Sequence, residues 1–365
     1  MENDKLRVGV IGANPSYGWS PRAHLPALVA LPNVELVAVC TTKEETARAS
    51  AEKFGAAMAF SDHRTMLREA ELDAVAVAVK VPLHYRLTMD VLEAGRHVYT
   101  EWPLGANLHE AEELARAAAD KGVATMVGLQ GRCHSTYLRL KELIEEGYVG
   151  EVASVQLTQI GAGILSRGSD RTWQADRSLG ANTLTISFGH TIDALCMCLG
   201  ELTDVSALVT TRVPQWHETD TGKMVDVTSP DNVMVTGTLA NGAVVSAYVG
   251  SVPWLGSGFR LEVYGRDGTL VLTADEHPQL GGLRLLGGQG SNPELRRLQI
   301  PDSLTWVPES VPAGPPFNVA QMWSRFADAI RTGERAKPDF DSAVERHRLL
   351  DAIQRSSDTG QRQRV

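Results

Sequence analysis

Three short stretches carry residue types that chemistry could use. The first, Gly12-Ala-Asn14-Pro-Ser-Tyr-Gly18-Trp19, follows the apolar run Leu6–Ile11. A glycine turn between a strand and a helix lets a pyrophosphate come close to the backbone. Of the pattern G-x-G-x-x-G, Gly12 holds the first position and Asn14 stands in the second; the last glycine comes late, at Gly18. Asn tolerates left-handed backbone better than most residues, so the turn is expected to survive. The second stretch is Thr41-Thr42-Lys43, after the apolar run Val34–Cys40. A ribose with a free 2′-hydroxyl usually meets Asp or Glu there. Hydroxyls and a lysine suit a 2′-phosphate, so NADP is expected in preference to NAD. The alternative is that Lys43 is a surface lysine at a helix entry. The third stretch is Val79-Lys80-Val-Pro-Leu-His84, after a third apolar run. Ligands approach a parallel sheet at the carboxyl ends of its strands. A desolvated Lys80 would titrate low enough for acid–base work; equally, it could reach a ribose or a loop carbonyl. Val79 and His84 join the cofactor-binding set, with His84 at the start of its helix. Further on, His190 and Asp193 are spaced to lie near one helix turn.

Those stretches need elements to hold them. Strand and helix patterns alternate without a break to about residue 150: strands at Leu6–Ile11, Val34–Cys40, Ala57–Phe60, Asp73–Val79, His97–Thr100 and Ala124–Gly128, with helices between, the first at Pro21–Leu31. Continuous apolar strands separated by helices predict a doubly wound parallel sheet covered on both faces. With the glycine turn after the first strand, this predicts a dinucleotide-binding unit of the Rossmann type over residues 1–131. After Gly150 the period becomes two. One helix at His190–Leu199 is followed by strands near 205–213, 233–239, 243–249, 260–264 and 269–272, with hairpin turns at Asn241-Gly242 and Asp267-Gly268. Residues 132–340 therefore read as an α/β domain with a large, mainly antiparallel open sheet. One face of that sheet suits a homodimer or homotetramer interface. Residues 341–365 read as a closing helix and a polar, frayed tail.

The 365 residues suit two domains, and 43% hydrophobic composition supplies two cores. A net charge of −9 argues against a general nucleic-acid or anionic-membrane binder. The cysteines, Cys40, Cys133, Cys196 and Cys198, form no C-x-x-C, and no cluster has metal-ligand spacing, so no metal is expected. Free thiols, no apolar leader and no membrane-length run point to the cytoplasm.

Taken in order, several motifs resemble the glucose–fructose oxidoreductase / inositol dehydrogenase / MocA family. They are the glycine loop, Lys80-Val-Pro-Leu-His84, Glu101-Trp-Pro103, Gly128-Leu-Gln-Gly-Arg132, Gly147-Tyr-Val-Gly-Glu-Val152, Gly189-His-Thr-Ile-Asp193 and Phe326-Ala-Asp-Ala-Ile-Arg-Thr-Gly333. The likeness covers nearly the whole chain. It is greatest to the branch containing the galactose-regulon repressor of yeasts, whose best-known member resembles an enzyme but binds another protein. The resemblance implies a Rossmann domain, a second domain with an open sheet, and an active site between them.

It also implies site residues. The family supplies Lys from Glu-Lys-Pro and His from Asp-x-Gly-x-His as proton donors and acceptors. Glu101 and Pro103 match, but Trp102 holds the lysine position; indole cannot titrate, although it can stack on nicotinamide or a sugar. His190 matches the family histidine, whereas Ile186 and Phe188 replace the aspartate and glycine before it. His190, Lys80 and Asp193 are thus the catalytic candidates. Glu101, Trp102 and Arg132 join the cofactor set. Trp102, Arg171, Trp173 and His190 form the substrate set. Arg167, Gln174 and Arg177 belong to the same polar stretch as Arg171, which either lines a pocket or is a solvated loop. Trp254 lies in a loop that could cover a pocket or form an interface. His97, His217, His277 and His347 read as surface or loop residues. Two functions are weighed, beside a third reading of a redox-neutral reaction that uses a tightly bound cofactor transiently. One is an NAD(P)-dependent oxidoreductase acting on a sugar, cyclitol or related small polar carbonyl or alcohol. The other is a catalytically silent dinucleotide-binding regulator with a protein partner.

Overall fold

The structure is a computed structural model that describes residues 5–291 and 294–365. The chain divides into two compact units: Met1–Gln130 with Thr305–Glu345, and Gly131–Leu304 with Arg346–Val365.

In the first unit β1 (Leu6–Ile11), α1 (His24–Ala30), β2 (Val34–Cys40), α2 (Glu44–Phe54), β3 (Met58–Phe60), α3 (His63–Glu69), β4 (Ala74–Val77), α4 (His84–Glu93), β5 (His97–Thr100), α5 (Leu108–Lys121) and β6 (Thr125–Val127) alternate. The strands pair in parallel in the order β3-β2-β1-β4-β5-β6. The order reverses between β1 and β4, which puts the glycine turn at the switch point of the sheet. Every residue of β4 is buried, which accounts for its unbroken apolar reading. Side-chain caps start two of the helices: Asp62 accepts from Thr65 N at 2.8 Å and Asn107 from Glu110 N at 3.0 Å. Helix α1 begins at His24 rather than Pro21, because residues 20–23 wind as turns.

The second unit holds α6 (Ser135–Glu145), β7 (Val152–Ala162) and α7 (Gly189–Leu199). Its nine-stranded sheet runs in the spatial order Arg296–Arg297, Arg284–Gln289, Gly268–Ala274, Gly258–Gly265, β7, Val244–Val252, Asn232–Leu239, Leu202–Thr210 and Gln363–Arg364. Only β7 and Val244–Val252 pair in parallel; the other neighbours are antiparallel. The turn at Asn241-Gly242 closes as expected, with Gly242 at φ 89° and Asn241 Oδ1 accepting from Ala243 N. Inward residues such as Val155, Leu157, Val235, Ala247 and Leu261 form the core. On the opposite face Leu208, Met234 and Val244 are exposed.

Helices α8 (Pro315–Thr332) and α9 (Phe340–Thr359) close the chain. The sequence groups residues 132–340 together, yet 305–345 pack with the first unit. The reason is the apolar face of α8, where Met322, Trp323 and Phe326 are fully buried. Trp323 lies against Tyr99 with ring centroids 5.0 Å apart, and the Tyr99 hydroxyl reaches Met322 Sδ at 3.4 Å. The tail is not frayed as expected. Gln363–Arg364 pairs with Val205 and Asp204 as an edge strand, and Arg362 binds the Asp204 carboxylate. No helix among the described residues is long and apolar enough to cross a membrane.

Candidate functional site

The glycine turn is built as the dinucleotide reading requires, although not by the expected route. Gly12 has φ 89°, and a Cβ there would sit 2.3 Å from Ala78 O and 2.7 Å from Val79 Cγ1. Only glycine fits, and Gly12 N and Ala13 N both donate to Cys40 O. Asn14 was expected to supply left-handed backbone, but no non-glycine residue among those described has positive φ. Its side chain acts instead: Oδ1 accepts from Ser16 N and Tyr17 N, each at 3.0 Å, which folds the longer loop. Gly18 takes φ 91° in open space. Trp19 Nε1 is buried without a hydrogen-bond partner. Lys53 of α2 donates to Pro15 O at 2.8 Å and so ties the loop down.

At the end of β2, Thr41 Oγ1 lies 2.6 Å from Thr46 Oγ1 and 2.8 Å from Lys43 O, and so shapes the entry to α2. Thr42 and Lys43 are exposed beside it. Lys80, two residues beyond Ala78, is exposed rather than enclosed, so the desolvation expected of it is not supplied by its surroundings within this unit. His84 is buried and spent on the backbone: Nδ1 meets Pro103 O at 2.7 Å and Nε2 meets Val79 O at 3.1 Å. Burial pushes its pKa down, although both carbonyls favour a proton on the ring. His84 therefore joins the Val79-Lys80 segment to the Trp102-Pro103 loop. Trp102 is 5% exposed, and its peptide bond to Pro103 is cis. Glu101 is anchored by His24 at 2.7 Å and by Gln130 Nε2 at 3.2 Å. Gly128 packs so closely on this carboxylate that a Cβ would lie 2.5 Å from Glu101 Oε2.

In the second unit α7 is preceded by a π-helical turn, Thr183–Phe188, which the sequence reading missed. Asn182 starts it, its Oδ1 accepting from Leu184 N and Thr185 N. His190 follows on α7, nearly buried, with Nδ1 unpartnered. Burial pushes its pKa down to about 4, opposed by Asp193 and assisted by His277. Asp193 does not orient the imidazole. Its oxygens take Arg132 Nε at 2.9 Å and Nη2 at 2.7 Å, and Arg346 Nε at 3.2 Å. Burial alone would raise the Asp193 carboxyl; the two guanidinium groups hold it below the ordinary range. Arg346, fully buried, also grips Glu201 with Nη2 at 2.9 and 3.1 Å.

Two polar residues beside His190, Thr191 and Gln159, were not singled out from the sequence. Thr191 Oγ1 donates at 2.5 Å to Gln159 Oε1, and Gln159 Nε2 lies 2.5 Å from His277 Nδ1. His277, read as a loop residue, is half-buried, and burial depresses its pKa. His347 likewise is buried on α9 rather than exposed, its pKa pushed down to about 3. The available signal was Gln159 on the apolar face of a period-two strand, in line with Val155 and Leu157. In the polar stretch, Trp173 and Gln174 are half-buried, while Arg171 and Arg177 are exposed. Trp254 is 79% exposed and its neighbour Leu255 93%. A cleft of about 360 Å³ lined by Asp73, Arg96 and His97 opens at the other end of the parallel strands, away from the glycine turn. Among the described residues no group of His, Cys, Asp and Glu could hold a metal.

Residues 6–129 match the oxidoreductase family with an NAD-binding Rossmann fold, and residues 136–274 match the C-terminal domain of Gal80p. Dehydrogenase aclE of Aspergillus oryzae is 30% identical over 98% of this chain and 97% of its own. The galactose/lactose metabolism regulatory protein GAL80 of Saccharomyces cerevisiae is 30% identical over 74% of this chain and 67% of its own. A crystal structure of a super-repressor mutant of that yeast protein superposes with a TM-score of 0.88, covering 99% of this chain and 98% of that one at 25% identity. Levoglucosan dehydrogenase of Pseudarthrobacter phenanthrenivorans is 26% identical over 77% of this chain and 76% of its own.

Proposed function

Because the chain belongs to the Gfo/Idh/MocA family of oxidoreductases with an NAD-binding Rossmann fold, we propose that it is an NAD(P)-dependent oxidoreductase of a sugar, cyclitol or related small polar alcohol or carbonyl. The observation that carries this reading is His190. A buried ring nitrogen without a partner costs free energy, and a fold retains it where a ligand completes it.

The residues of the first unit suit a dinucleotide. Gly12 turns the chain tightly against Ala78 where no Cβ fits, and Trp19 Nε1 is a buried donor without a partner. Gly12, Asn14, Gly18 and Trp19 would hold the pyrophosphate side, Thr41, Thr42 and Lys43 the adenosine ribose, and Val79, Lys80 and Trp102 the segment beyond β4. The bound nicotinamide supplies the hydride acceptor or donor. His190, uncharged at neutral pH with its pKa near 4, accepts the proton of a substrate hydroxyl when the alcohol is oxidised and returns it to the carbonyl oxygen in reverse. Lys80, exposed, is the second candidate for that proton in place of the family's missing lysine. Asp193 serves as a positioning residue, since both its oxygens are held by arginines. Arg171 and Trp173 are the proposed substrate contacts. The exposed Leu208, Met234 and Val244 face favours a homo-oligomer.

Trp102 favours a second reading: a dinucleotide-binding regulator without turnover, in the manner that the relative GAL80 is named a regulatory protein. The deciding experiment is to assay bound nicotinamide in the purified protein and then follow reduced-nicotinamide absorbance over a panel of sugars and cyclitols. Turnover abolished by His190→Gln supports the oxidoreductase. Cofactor binding with no turnover across the panel overturns it in favour of the regulator. Lys80→Met should leave folding intact because the side chain is exposed, and unchanged turnover removes Lys80 from the mechanism.

A further inference from the structure

The most anomalous charge in the second unit belongs to Arg167. It sits on the short strand Ser166–Arg167, paired in parallel with Gln215–Glu218. Its guanidinium lies over the Trp216 ring, 5.0 Å from the centroid. Trp216 in turn packs on a small apolar cluster of Ile164, Ala175 and Val227. Arg167 Nε is buried and has no hydrogen-bond partner. Among the described residues no carboxylate forms an ion pair with Arg167, although Glu218 and Asp220 lie close by across the strand pair. Glu218, directly across the strand pair, is taken by Thr172 Oγ1 at 2.7 Å and Thr221 Oγ1 at 2.6 Å. Asp220 is taken by Ser169 N at 2.8 Å and Ser169 Oγ at 2.5 Å. The charge that bears on Arg167 is a second cation, Arg171.

A covered guanidinium with no counter-charge and a like charge beside it lowers stability. Burial and Arg171 both act against its proton, and its pKa falls below the usual arginine value. Trp216 holds the planar fork in place, which is what two-point recognition of an oxyanion needs. We propose that Arg167 and Arg171 form a binding site for the acidic group of a small sugar acid or sugar phosphate. That this anion belongs to the substrate rests on the oxidoreductase reading above; the arginine site itself does not.

The test is calorimetric titration of the full-length protein with D-gluconate, inorganic phosphate and, as the uncharged control, D-glucose. Gluconate or phosphate should bind, more weakly as salt is added, and their ratio tells carboxylate from phosphate. Arg167→Met should weaken that binding at least about tenfold and Arg171→Ala severalfold, with glucose unaffected. Because Met keeps the contact with Trp216 and removes the unpaired charge, Arg167→Met without ligand should hold Tm or raise it by about 2–4 °C. Absence of saturable binding by both acids, equal binding by Arg167→Met, or a lowered Tm in that variant each overturns the site. Turnover is read separately by nicotinamide absorbance. Acid binding without turnover keeps the site and sinks the oxidoreductase reading. Turnover of a neutral sugar with no acid binding does the reverse.

Discussion

Trp323 Nε1 donates to His24 Nδ1 at 3.1 Å, and this one bond fixes the imidazole tautomer. Indole is only a donor, so Nδ1 accepts and the ring proton sits on Nε2. That proton points at Glu101 Oε1, 2.7 Å away, while Gln130 Nε2 supports the other oxygen at 3.2 Å. Glu101, the first residue of the Glu-Trp-Pro motif, therefore holds the loop that carries Trp102, and α8 reaches it through His24.

Glu101→Ala should cost on the order of 2–4 kcal/mol, because it leaves the His24 N–H and the Gln130 amide buried without an acceptor. Trp323→Phe removes one hydrogen bond and keeps most of the packing, so its cost should be smaller, about 1 kcal/mol. Urea unfolding followed by circular dichroism checks both. Equal and negligible losses would show that the carboxylate is not anchoring the loop.

The Asp193 cluster yields a prediction of opposite sense to a catalytic relay. Asp193→Ala leaves Arg346 with its Cys196 contact and the half-exposed Glu201 only, a loss of about 3–5 kcal/mol. Asp193→Asn retains hydrogen-bond acceptance at one oxygen and should lose less. The Asp193 charge also opposes the fall in the His190 pKa, so Asp193→Asn should in addition move the acid limb of the pH–rate profile to lower pH; an unchanged unfolding midpoint would remove the structural role.

The sequence conveyed the first unit well because its strands are buried on both faces and its turn needs glycine at one position. A continuous apolar β4 and a Gly12 that admits no Cβ both leave plain marks in residue type. It conveyed less where contact partners are distant in the chain. Nothing local to α8 says that Trp323 binds His24, so residues 305–340 were grouped with the wrong neighbours in space. The same holds for Arg132 and Arg346, which meet on Asp193 across 61 and 153 residues. Asn14 was legible as a glycine substitute but not as a side-chain acceptor, because residue type alone does not separate left-handed backbone from an Asx turn.

Buried histidines make stability depend on acid. Burial pushes His134 and His190 down to about 4 and His347 to about 3. Each binds its proton more weakly folded than unfolded, so the unfolded chain takes up protons first. Their contribution is intact above about pH 6.5 and is lost as pH falls through the unfolded value toward the folded ones. At pH 5 each should remove on the order of 2 kcal/mol. Thermal scans between pH 7.5 and 5, buffered at constant ionic strength (conditions set about the histidine range), should show a falling Tm. His347→Gln should flatten that fall; an unchanged slope would place the acid sensitivity elsewhere.

The NADP preference expected from the sequence is tested at the end of β2. Cys40 is buried and is followed by Thr41, whose hydroxyl is occupied in the turn, so Thr42 and Lys43 are the exposed groups there. Neither is a carboxylate, and a 2′-phosphate placed among them gains a cation where a ribose hydroxyl pair gains none. Lys43→Ala should therefore weaken NADPH binding by about tenfold, roughly 1.4 kcal/mol, and leave NADH binding unchanged. Because Lys43 lies just before Glu44 and Glu45 in the first turn of α2, those carboxylates oppose the phosphate. Glu45→Gln should then shift the balance further toward NADPH. Fluorescence titration with each reduced nucleotide measures both variants, and clearly tighter NADH binding by the unmodified protein would remove the preference altogether.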